Sequence, residues 1–314
     1  MWHVTPGTRG RLRVRIIAPS HARPVWPMEE PAVSSVAIVT DSASDMPPEV
    51  AARQSIGIVP LIVSFGTETF KANVTLTTDQ FWDRMLAPDA PFPTTAAASP
   101  GDFLGEFRAA FDAGAPAIVC VDVSGSLSGT LKSAQVAASM LPDREIHVID
   151  SRTASMGVGM LAQLGAELAA AGVSGTEIAR VLEQRKADID LFVALDTLEY
   201  LKRGGRISGA RAAIGSMLSI KPIITVIDGV VENADRERSR AKVRQRTLEL
   251  LTAKPLERAT ILHTTNADWE DFHDRFVERS GLDPSRVQVM TVGPSVGPHL
   301  GPGCVGAVVM RRIA

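Results

Sequence analysis

Cysteine and aromatic residues are scarce in this chain of 314 residues, and their scarcity argues against several kinds of site. The chain contains two cysteines, and its aromatic content is 5%. Cys120 and Cys304 both lie in apolar, strand-like segments, which is typical of buried thiols rather than of a disulfide or a metal-binding pair. No pair of histidines or cysteines has metal-ligand spacing. We therefore expect no metal and no other cofactor, and free thiols suit a reducing cytoplasm.

A strong excess of charge of one sign and long apolar runs are also missing. The formal net charge is -2, with 33 Lys and Arg residues against 35 Asp and Glu residues, whereas nucleic-acid-binding proteins usually carry a strongly basic surface. No segment approaches the ~18 consecutive apolar residues that a membrane-spanning helix needs. We expect a folded globular monomer with no nucleic-acid partner and no integral membrane segment.

The N-terminal segment differs from the rest of the chain. Five arginines, from Arg9 to Arg23, precede the first acidic residue, as in a targeting peptide. The apolar stretch before Pro19 is too short for a secretion signal, and prolines interrupt any amphipathic helix. We expect residues 1–35 to be a disordered tail, or an extension upstream of a natural start at Met28.

Short apolar segments alternate with helical patterns through the next part of the chain. The strand-like segments are 36–39, 57–65, 117–121 and 146–149. Continuous apolar runs of this length are typical of buried parallel strands. Strands that alternate with helices predict a three-layer α/β/α domain with a parallel sheet over residues 36–172.

The pattern changes in the second half of the chain. Asp228-Gly229 stands between two strand-like segments and predicts a hairpin that pairs 221–227 with 230–232. Further helices and strands follow towards the C-terminus. We therefore predict that residues 173–314 form a second α/β domain with a mixed sheet.

A tight basic turn is the most informative local feature of this second domain. Leucines at helical spacing from Leu195 to Leu201 predict a helix, and Gly204-Gly205 predict its end. The cations around the turn are Lys202, Arg203 and Arg206. Three cations at one turn suggest an anionic partner, and a slim helix of small residues is predicted directly afterwards, over 209–216.

Polar residues follow three strands of the first predicted domain. They are Asp41-Ser42, Asp122 to Ser128, and Asp150-Ser151. Ligands of open α/β sheets bind beyond the carboxyl ends of the strands, and helix N-termini at that edge favour an anion. The same residue types are preferred helix caps, so each position is open to both interpretations. For Thr94-Thr95 and residues 126–130 together, ligand binding is the favoured interpretation.

One motif suggests an enzyme instead. The sequence Gly-Pro-Ser-Val-Gly at 293–297 matches the Gly-x-Ser-x-Gly pattern of esterase nucleophiles. A nucleophile elbow must continue into a helix, but Pro298 and the glycines after it predict a segment that cannot be helical. This argues against the motif. A serine esterase that uses Ser295 and His299 is kept as the alternative function. His299 itself is open to a structural or a functional interpretation. A sugar- or nucleotide-binding protein would need more aromatic or acidic pocket residues.

Taken in chain order, a series of short motifs resembles the DegV family of fatty-acid-binding proteins. The motifs are Val39–Asp45, Pro93–Thr95 with Ser99–Phe103, Leu127–Thr130 with Ser133-Ala134, Val148–Ser151 with Ser155–Gly157, Leu198–Ser208, Lys221–Ile223, and His299 with Gly301–Gly303. The resemblance extends from Val36 to the C-terminus and leaves out the N-terminal extension.

The resemblance implies two α/β domains with a long-chain fatty acid in an apolar tunnel between them. It implies a lipid-binding subunit rather than an enzyme. Such a subunit would present the acyl carboxylate to a separate fatty-acid kinase, which forms an acyl phosphate for phospholipid synthesis. By their motifs, Thr95 and Ser128 would bind the carboxylate with support from His299. Arg203 and Arg206 would face the kinase.

The chain departs from the family pattern beside Thr95. The family usually continues Thr-Ser-Gln-Pro, whereas Ala96–Ala98 stand here. One hydroxyl and one amide are therefore missing next to the expected head-group site. Met156, Met217 and the small residues of 209–216 would form tunnel wall, or would simply pack one helix on another.

Overall fold

The computed structural model describes residues 2–5, 13–16, 36–207, 220–265 and 268–313. In the N-terminal extension, Trp2–Thr5 pairs antiparallel with Arg13–Ile16. The prediction that residues 1–35 are disordered or precede the natural start concerns mainly residues outside these ranges and stays a prediction. The predicted small-residue helix over 209–216 and Met217 also lie outside the described residues.

The described elements alternate between strands and helices along most of the chain. The strands are β1 (Trp2–Thr5), β2 (Arg13–Ile16), β3 (Val36–Asp41), β4 (Ile56–Val59), β5 (Ile62–Phe65), β6 (Glu68–Lys71), β7 (Thr94–Ala96), β8 (Ala117–Asp122), β9 (Glu145–Asp150), β10 (Ile189–Ala194), β11 (Lys221–Ile227), β12 (Val230–Glu237), β13 (Leu256–His263), β14 (Val287–Thr291) and β15 (Val305–Arg311). The helices are α1 (Pro48–Arg53), α2 (Thr78–Leu86), α3 (Pro100–Asp112), α4 (Thr130–Ser139), α5 (Met156–Ala170), α6 (Gly175–Arg185), α7 (Glu199–Arg203), α8 (Arg240–Leu251), α9 (Trp269–Ser280) and α10 (Gly297–Leu300).

The first sheet has the strand order β4-β3-β8-β9, and all its strands are parallel. Its continuous apolar strands are buried because helices cover both faces. Helices α3 and α4 pack together on one face, and α5 and α6 pack together on the other. The predicted three-layer α/β/α domain with a parallel sheet is confirmed.

The second sheet has the strand order β12-β11-β10-β15-β13-β14. Its strands pair antiparallel except for β13 and β14, which are parallel. The predicted mixed sheet is confirmed. Helices α8 and α9 cover one face, where Leu248, Phe272 and Phe276 are buried.

Helix α5 joins the two sheets into one core. Every residue of α5 from Met156 to Gly165 is buried. Val308 and Met310 of β15 belong to the same hydrophobic core as Ile38 of β3. A helix that is apolar around its whole circumference is one that is covered on all sides, and α5 is covered by the first sheet on one side and by the second on the other.

The predicted division at residue 172 does not coincide with a change of packing partner. Helix α6 follows that residue but packs against α5, β8 and β9 of the first sheet. The second sheet begins only with β10, at Ile189. The domain boundary stays a prediction, and the packing assigns α6 to the first sheet.

The predicted strand over 57–65 is two strands in two different sheets. β4 belongs to the parallel sheet, whereas β5 pairs with β6 and β7 in a separate antiparallel sheet. Pro60 lies between them, and a proline cannot donate to a strand ladder. Within the described ranges, no helix is both long enough and apolar enough to cross a bilayer.

Two predicted turns are confirmed by their backbone angles. Asp228 and Gly229, with φ values of 49° and 81°, connect β11 to β12, as expected for a two-residue hairpin turn. Helix α7 ends at Arg203, and Gly205 has a φ of 73°. The left-handed region favours glycine because it has no Cβ.

Candidate functional site

A largely apolar cavity lies between the two sheets. Its polar lining residues are Thr95, Ser128, Ser155, Arg206, Ser295 and His299, and its apolar walls include Leu61, Val123, Leu191, Ile224, Val231 and Leu262. The space between these walls amounts to about 730 Å³, its solvent-open mouth included. Apolar clefts with a few convergent polar groups are typical small-molecule sites.

Thr95 and His299 meet at this cavity although they are far apart in the sequence. Thr95 lies on β7 and His299 on α10, and Thr95 Oγ1 is 3.0 Å from His299 Nε2. Burial, followed by the positive charge of Arg206, lowers the pKa of His299 to about 4. The imidazole is therefore neutral at pH 7. A single hydrogen bond joins its Nε2 to the Thr95 hydroxyl. His299 Nδ1 is buried without a hydrogen-bond partner in the described structure.

Arg206 lines the same cavity. Its Nε donates to the Leu127 carbonyl at 3.1 Å, and its Nη1 donates to the Gly204 carbonyl at 2.6 Å. Backbone carbonyls therefore fix the guanidinium, and no carboxylate within the described ranges pairs with it. A guanidinium held in this way keeps its charge available for a carboxylate or phosphate.

Arg203, the other arginine of the basic turn, points elsewhere. Its side chain is exposed, and its Cζ lies 3.8 Å from the centroid of the Phe92 ring. Cations at this distance over a ring are attracted by the π system. The two arginines that the sequence grouped together are thus separated, one at the cavity and one on the surface.

Ser128 lines the cavity just before helix α4. Its Oγ lies 2.8 Å from Thr130 Oγ1 and accepts from the Thr130 backbone N–H at 3.2 Å. The hydroxyl therefore takes part in the first turn of α4 while its residue faces the cavity. The N-cap residue of α4 is Gly129, so Ser128 is not itself the helix cap, and its place in the cavity lining leaves it available to a ligand.

The aspartates at the strand ends have structural partners instead. Asp41 accepts from the backbone N–H groups of Ala43 and Val123 at 2.7 and 2.8 Å. Asp41 and Asp122 are both buried. Burial raises the pKa of Asp41 to about 6 and raises that of Asp122 as well. Asp41 therefore caps the loops beneath the cavity, whereas Ala43 and Val123 form its wall. Asp122 Oδ2 accepts from Cys120 Sγ at 3.4 Å.

Asp45 is an important residue that the sequence did not single out. It is buried, accepts from Ser155 Oγ at 2.5 Å, and accepts from the Gly293 backbone N–H at 2.9 Å. Burial is the main cause that raises its pKa to about 7. Asp45 stood within the family-like motif Val39–Asp45, but nothing in its local sequence indicated a partner 248 positions away.

The segment 292–299 is bonded to the first domain along its length. Trp82 Nε1 donates to the Val292 carbonyl at 2.9 Å, and Ser42 Oγ lies 2.8 Å from Ser295 Oγ. The bonds from Asp45 to Gly293 and from Thr95 to His299 complete the series. The position of His299 therefore depends on contacts from four side chains of the first domain.

The structure gives the esterase alternative no support. Ser295 is buried, and its hydroxyl partner is Ser42 rather than His299. No carboxylate within the described ranges holds His299 Nδ1, so a Ser-His-acid arrangement is not formed. The prediction that the segment after Gly297 cannot be helical is wrong. Gly297–Leu300 forms one helical turn, because proline is tolerated in the first turn of a helix.

Met156 is not part of the cavity wall, although it is fully buried. Its side chain packs in the core around α5, which corresponds to the plain helix-packing alternative. Both predicted thiols, Cys120 and Cys304, are buried and free, as expected.

Sequence comparison identifies relatives over almost the whole folded chain. The model of the family described as "Uncharacterised protein, DegV family" matches residues 35–312. A DegV domain-containing protein of Deinococcus radiodurans is 33% identical over 282 residues, covering 88% of this chain and 98% of the relative. Protein DegV of Bacillus subtilis is 31% identical over 282 residues, covering 87% of this chain and 98% of the relative.

Solved structures of similar proteins share the fold. A DegV family protein from Thermus thermophilus, described by its fatty acid binding, has a TM-score of 0.81 and 34% identity, covering 88% of this chain and 99% of that one. DegV of Bacillus subtilis, described as a fatty acid binding protein, has a TM-score of 0.77 and 29% identity over 88% of this chain and 99% of its own. The chain belongs to the DegV family.

Proposed function

We propose that this protein binds a long-chain fatty acid in the cavity between its sheets, with the carboxylate at the end formed by Thr95, His299 and Arg206. The observation that carries this proposal is the apolar cavity whose polar groups converge at one place. It is supported by the fatty acids described for similar proteins, including stearic acid for one from Eubacterium ventriosum that is 27% identical.

The energetics of the cavity suit a fatty acid. Each buried CH₂ contributes about 0.8 kcal/mol, so a long acyl chain supplies most of the affinity. A buried carboxylate is costly unless it is paired. Arg206 provides the charge, and the Thr95 and Ser128 hydroxyls provide hydrogen bonds, which contribute roughly 1.5–3 kcal/mol each when one partner is charged. The tail therefore sets the affinity, and the polar end sets the orientation.

Mass spectrometry of the gently purified protein tests this function directly. We expect a fatty acid to co-purify at close to one molecule per chain and to be released on denaturation. A protein that carries no lipid, and that binds none when fatty acid is added, would contradict the proposal.

The double variant Thr95→Ala/Ser128→Ala tests the head-group site. We expect it to fold normally and to retain fatty acid roughly tenfold or more weakly, because the carboxylate loses two hydroxyl partners. The measurement is displacement of a fluorescent fatty acid. The matched control is Thr94→Ala/Ser126→Ala, which removes two exposed hydroxyls from the same segments. The sequence favoured ligand binding at both positions, but neither lines the cavity, so this variant should bind as the wild type does. Equal binding by both double variants would refute the assignment of Thr95 and Ser128.

The proposed role extends to a partner enzyme. In this role the protein is a cytoplasmic, non-catalytic subunit that presents the carboxylate to a fatty-acid kinase, which makes acyl phosphate for phospholipid synthesis. The support is the family resemblance together with the basic turn beside the polar end of the cavity. Arg203, exposed on the surface, is suited to contact the kinase, and Arg206 is suited to both the carboxylate and the kinase.

Single arginine variants separate these two roles. We expect Arg203→Ala to keep its affinity for fatty acid but to lower acyl-phosphate formation by the kinase. Arg206→Ala should lower both, because its guanidinium lines the cavity. Lys202→Ala, which removes an exposed cation from the same turn, is the control for net charge. Weaker lipid binding by Arg203→Ala, or unchanged lipid binding by Arg206→Ala, would contradict this division.

A further inference from the structure

A second cavity lies on the seam between the domains, and we call it the seam cleft. It is lined by Gln54 at the end of α1, by Met160, Gln163 and Glu167 of α5, by Glu257 to Thr260 of β13, and by Ser285, Arg286 and Gln288 near β14. Its space, with the solvent-open mouth included, is about 850 Å³. Unlike those of the first cavity, its lining residues are mostly of polar types.

Buried polar groups of the seam cleft lack partners. Thr260 is 1% exposed, and its Oγ1 has no hydrogen bond. Gln54 Oε1 is also buried without a partner. The Gln163 side chain is 4% exposed and forms no hydrogen bond within the described ranges. Buried polar groups normally have partners, since leaving one unpaired costs about 1–3 kcal/mol. Two such oxygen atoms around one cleft, beside the Gln163 side chain that forms no bond, indicate a ligand with several hydrogen-bonding groups.

Apart from Arg286, the charged lining residues of the seam cleft take part in ion pairs. Arg258 donates to both carboxylate oxygens of Glu167, at 2.7 and 3.0 Å, and to Glu257 at 3.3 Å. Arg185 donates to the other oxygen of Glu257 at 2.8 Å. A ligand therefore needs no net charge to fit these walls. Arg286 is exposed at the rim.

We infer that the seam cleft binds a small, uncharged, acyclic polyol. A hydroxyl both donates and accepts, so it satisfies a threonine hydroxyl and an amide in either orientation. Several hydroxyls on a short flexible chain can reach Thr260, Gln54 and Gln163 together. Among the described lining residues there is no aromatic ring on which a cyclic sugar would stack, and this favours the acyclic ligand.

The seam cleft is separate from the proposed lipid cavity but adjacent to it. Thr260 and Leu262 lie two positions apart on β13, so their side chains are on the same face of the strand. Leu262 lines the lipid cavity and Thr260 lines the seam cleft. Removal of the Thr260 hydroxyl should therefore affect polyol binding without changing the head-group end of the lipid site.

Ligand-observed NMR with sorbitol tests the inference on the full chain. Saturation-transfer signals of sorbitol should appear with the wild-type protein. Glycerol at higher concentration should compete with sorbitol and weaken these signals. Thr260→Val should bind sorbitol at least tenfold more weakly, a factor equal to about 1.4 kcal/mol. This variant should fold normally, since it removes a hydroxyl that has no partner. Gln163→Met should weaken binding in the same direction.

The control variant is Thr225→Val, which alters another buried threonine outside both sets of lining residues. It should bind sorbitol as the wild type does. Absence of any sorbitol signal at about 100 mM, far above a millimolar Kd, would overturn the inference. So would equal sorbitol binding by wild type and Thr260→Val. Loss of fatty acid from folded Thr260→Val would overturn the separation of the two sites, and it would leave the proposed lipid function standing.

Discussion

The variant Gly204→Ala is expected to bind fatty acid at least ~100-fold more weakly than the wild type, a loss of about 2.7 kcal/mol. A Cβ at position 204 would lie 2.2 Å from His299 Nδ1 and 2.9 Å from His299 Cε1. These distances are far shorter than van der Waals contact, so the imidazole must move. Gly204 has a φ of -75°, which alanine adopts readily, so the conflict is confined to the site.

His299 has little freedom to move without loss of function. Its ring is buried, its Nε2 is bonded to Thr95, and the next turn contains Gly301, where a Cβ would meet the Tyr200 ring. A displaced ring therefore breaks the Thr95 bond and enters the space of the carboxylate. The methyl group added by Gly204→Ala should thus disturb the Thr95 hydroxyl, the His299 imidazole and the neighbouring Arg206 together.

Fluorescent fatty-acid displacement and thermal unfolding would be measured on the same preparation of Gly204→Ala. The matched control is Gly105→Ala in helix α3, where an added Cβ meets no atom within 4 Å. That control should bind lipid normally and be slightly more stable, since alanine favours helix. Wild-type affinity in folded Gly204→Ala would show that His299 is not part of the head-group site.

The second large effect concerns pH and Asp45. The pKa of its carboxyl rises from 3.8 to about 7 on folding, mainly because the group is buried. A folded state that binds a proton more tightly than the unfolded state is favoured at low pH, and this advantage is lost as pH rises from the unfolded to the folded pKa. The free energy of unfolding should therefore decrease between about pH 4 and pH 7. Asp41, whose pKa rises to about 6, adds to the same trend.

Asp45→Asn should remove much of this pH dependence. The amide oxygen can still accept from the Gly293 N–H, and the amide nitrogen can donate to Ser155 Oγ, but no charge is buried. We expect this variant to be more stable than the wild type at pH 8, by an amount on the order of a few kcal/mol. The difference should shrink towards pH 5, where the wild-type carboxyl is protonated in the folded state.

Urea unfolding at several pH values between 5 and 8 would measure this effect. Asp112→Asn, which replaces an exposed aspartate, is the control for the change in net charge. Parallel pH profiles for Asp45→Asn and the wild type would contradict the assignment of a raised pKa to Asp45.

The sequence was sufficient for the architecture and for most of the polar end of the cavity. Short continuous apolar runs are typical of buried parallel strands, and their alternation with helical patterns therefore predicted the parallel sheet that contains β3, β8 and β9. Thr95, Ser128 and His299 all line one cavity, although Thr95 and His299 are 204 positions apart. The order of the family-like motifs predicted that these residues share one site. No local sequence pattern encodes such a distant contact.

Other features depended on tertiary contacts that local patterns do not contain. The role of Asp45 arises from a partner in another domain, and its burial changes its chemistry. The packing of α6 on the first sheet could not be predicted, because the apolar face of α6 is compatible with packing on either side of the predicted domain boundary. Pro60 marked a break in a strand, but only the fold shows that the two pieces enter different sheets. The separation of Arg206 from Arg203 depends on two carbonyl groups and one aromatic ring.

The bonds from the first domain to segment 292–299 have a consequence for how the protein unfolds. The two sheets cannot separate without breaking the contacts that place His299, and they share the core around α5. Domain opening and loss of the head-group site are therefore one cooperative event. A ligand that binds only the folded state raises the free energy of that event by RT ln(1 + [L]/Kd). With lipid bound, the protein would thus unfold in a single transition at higher temperature, even though its core is built on two separate large sheets.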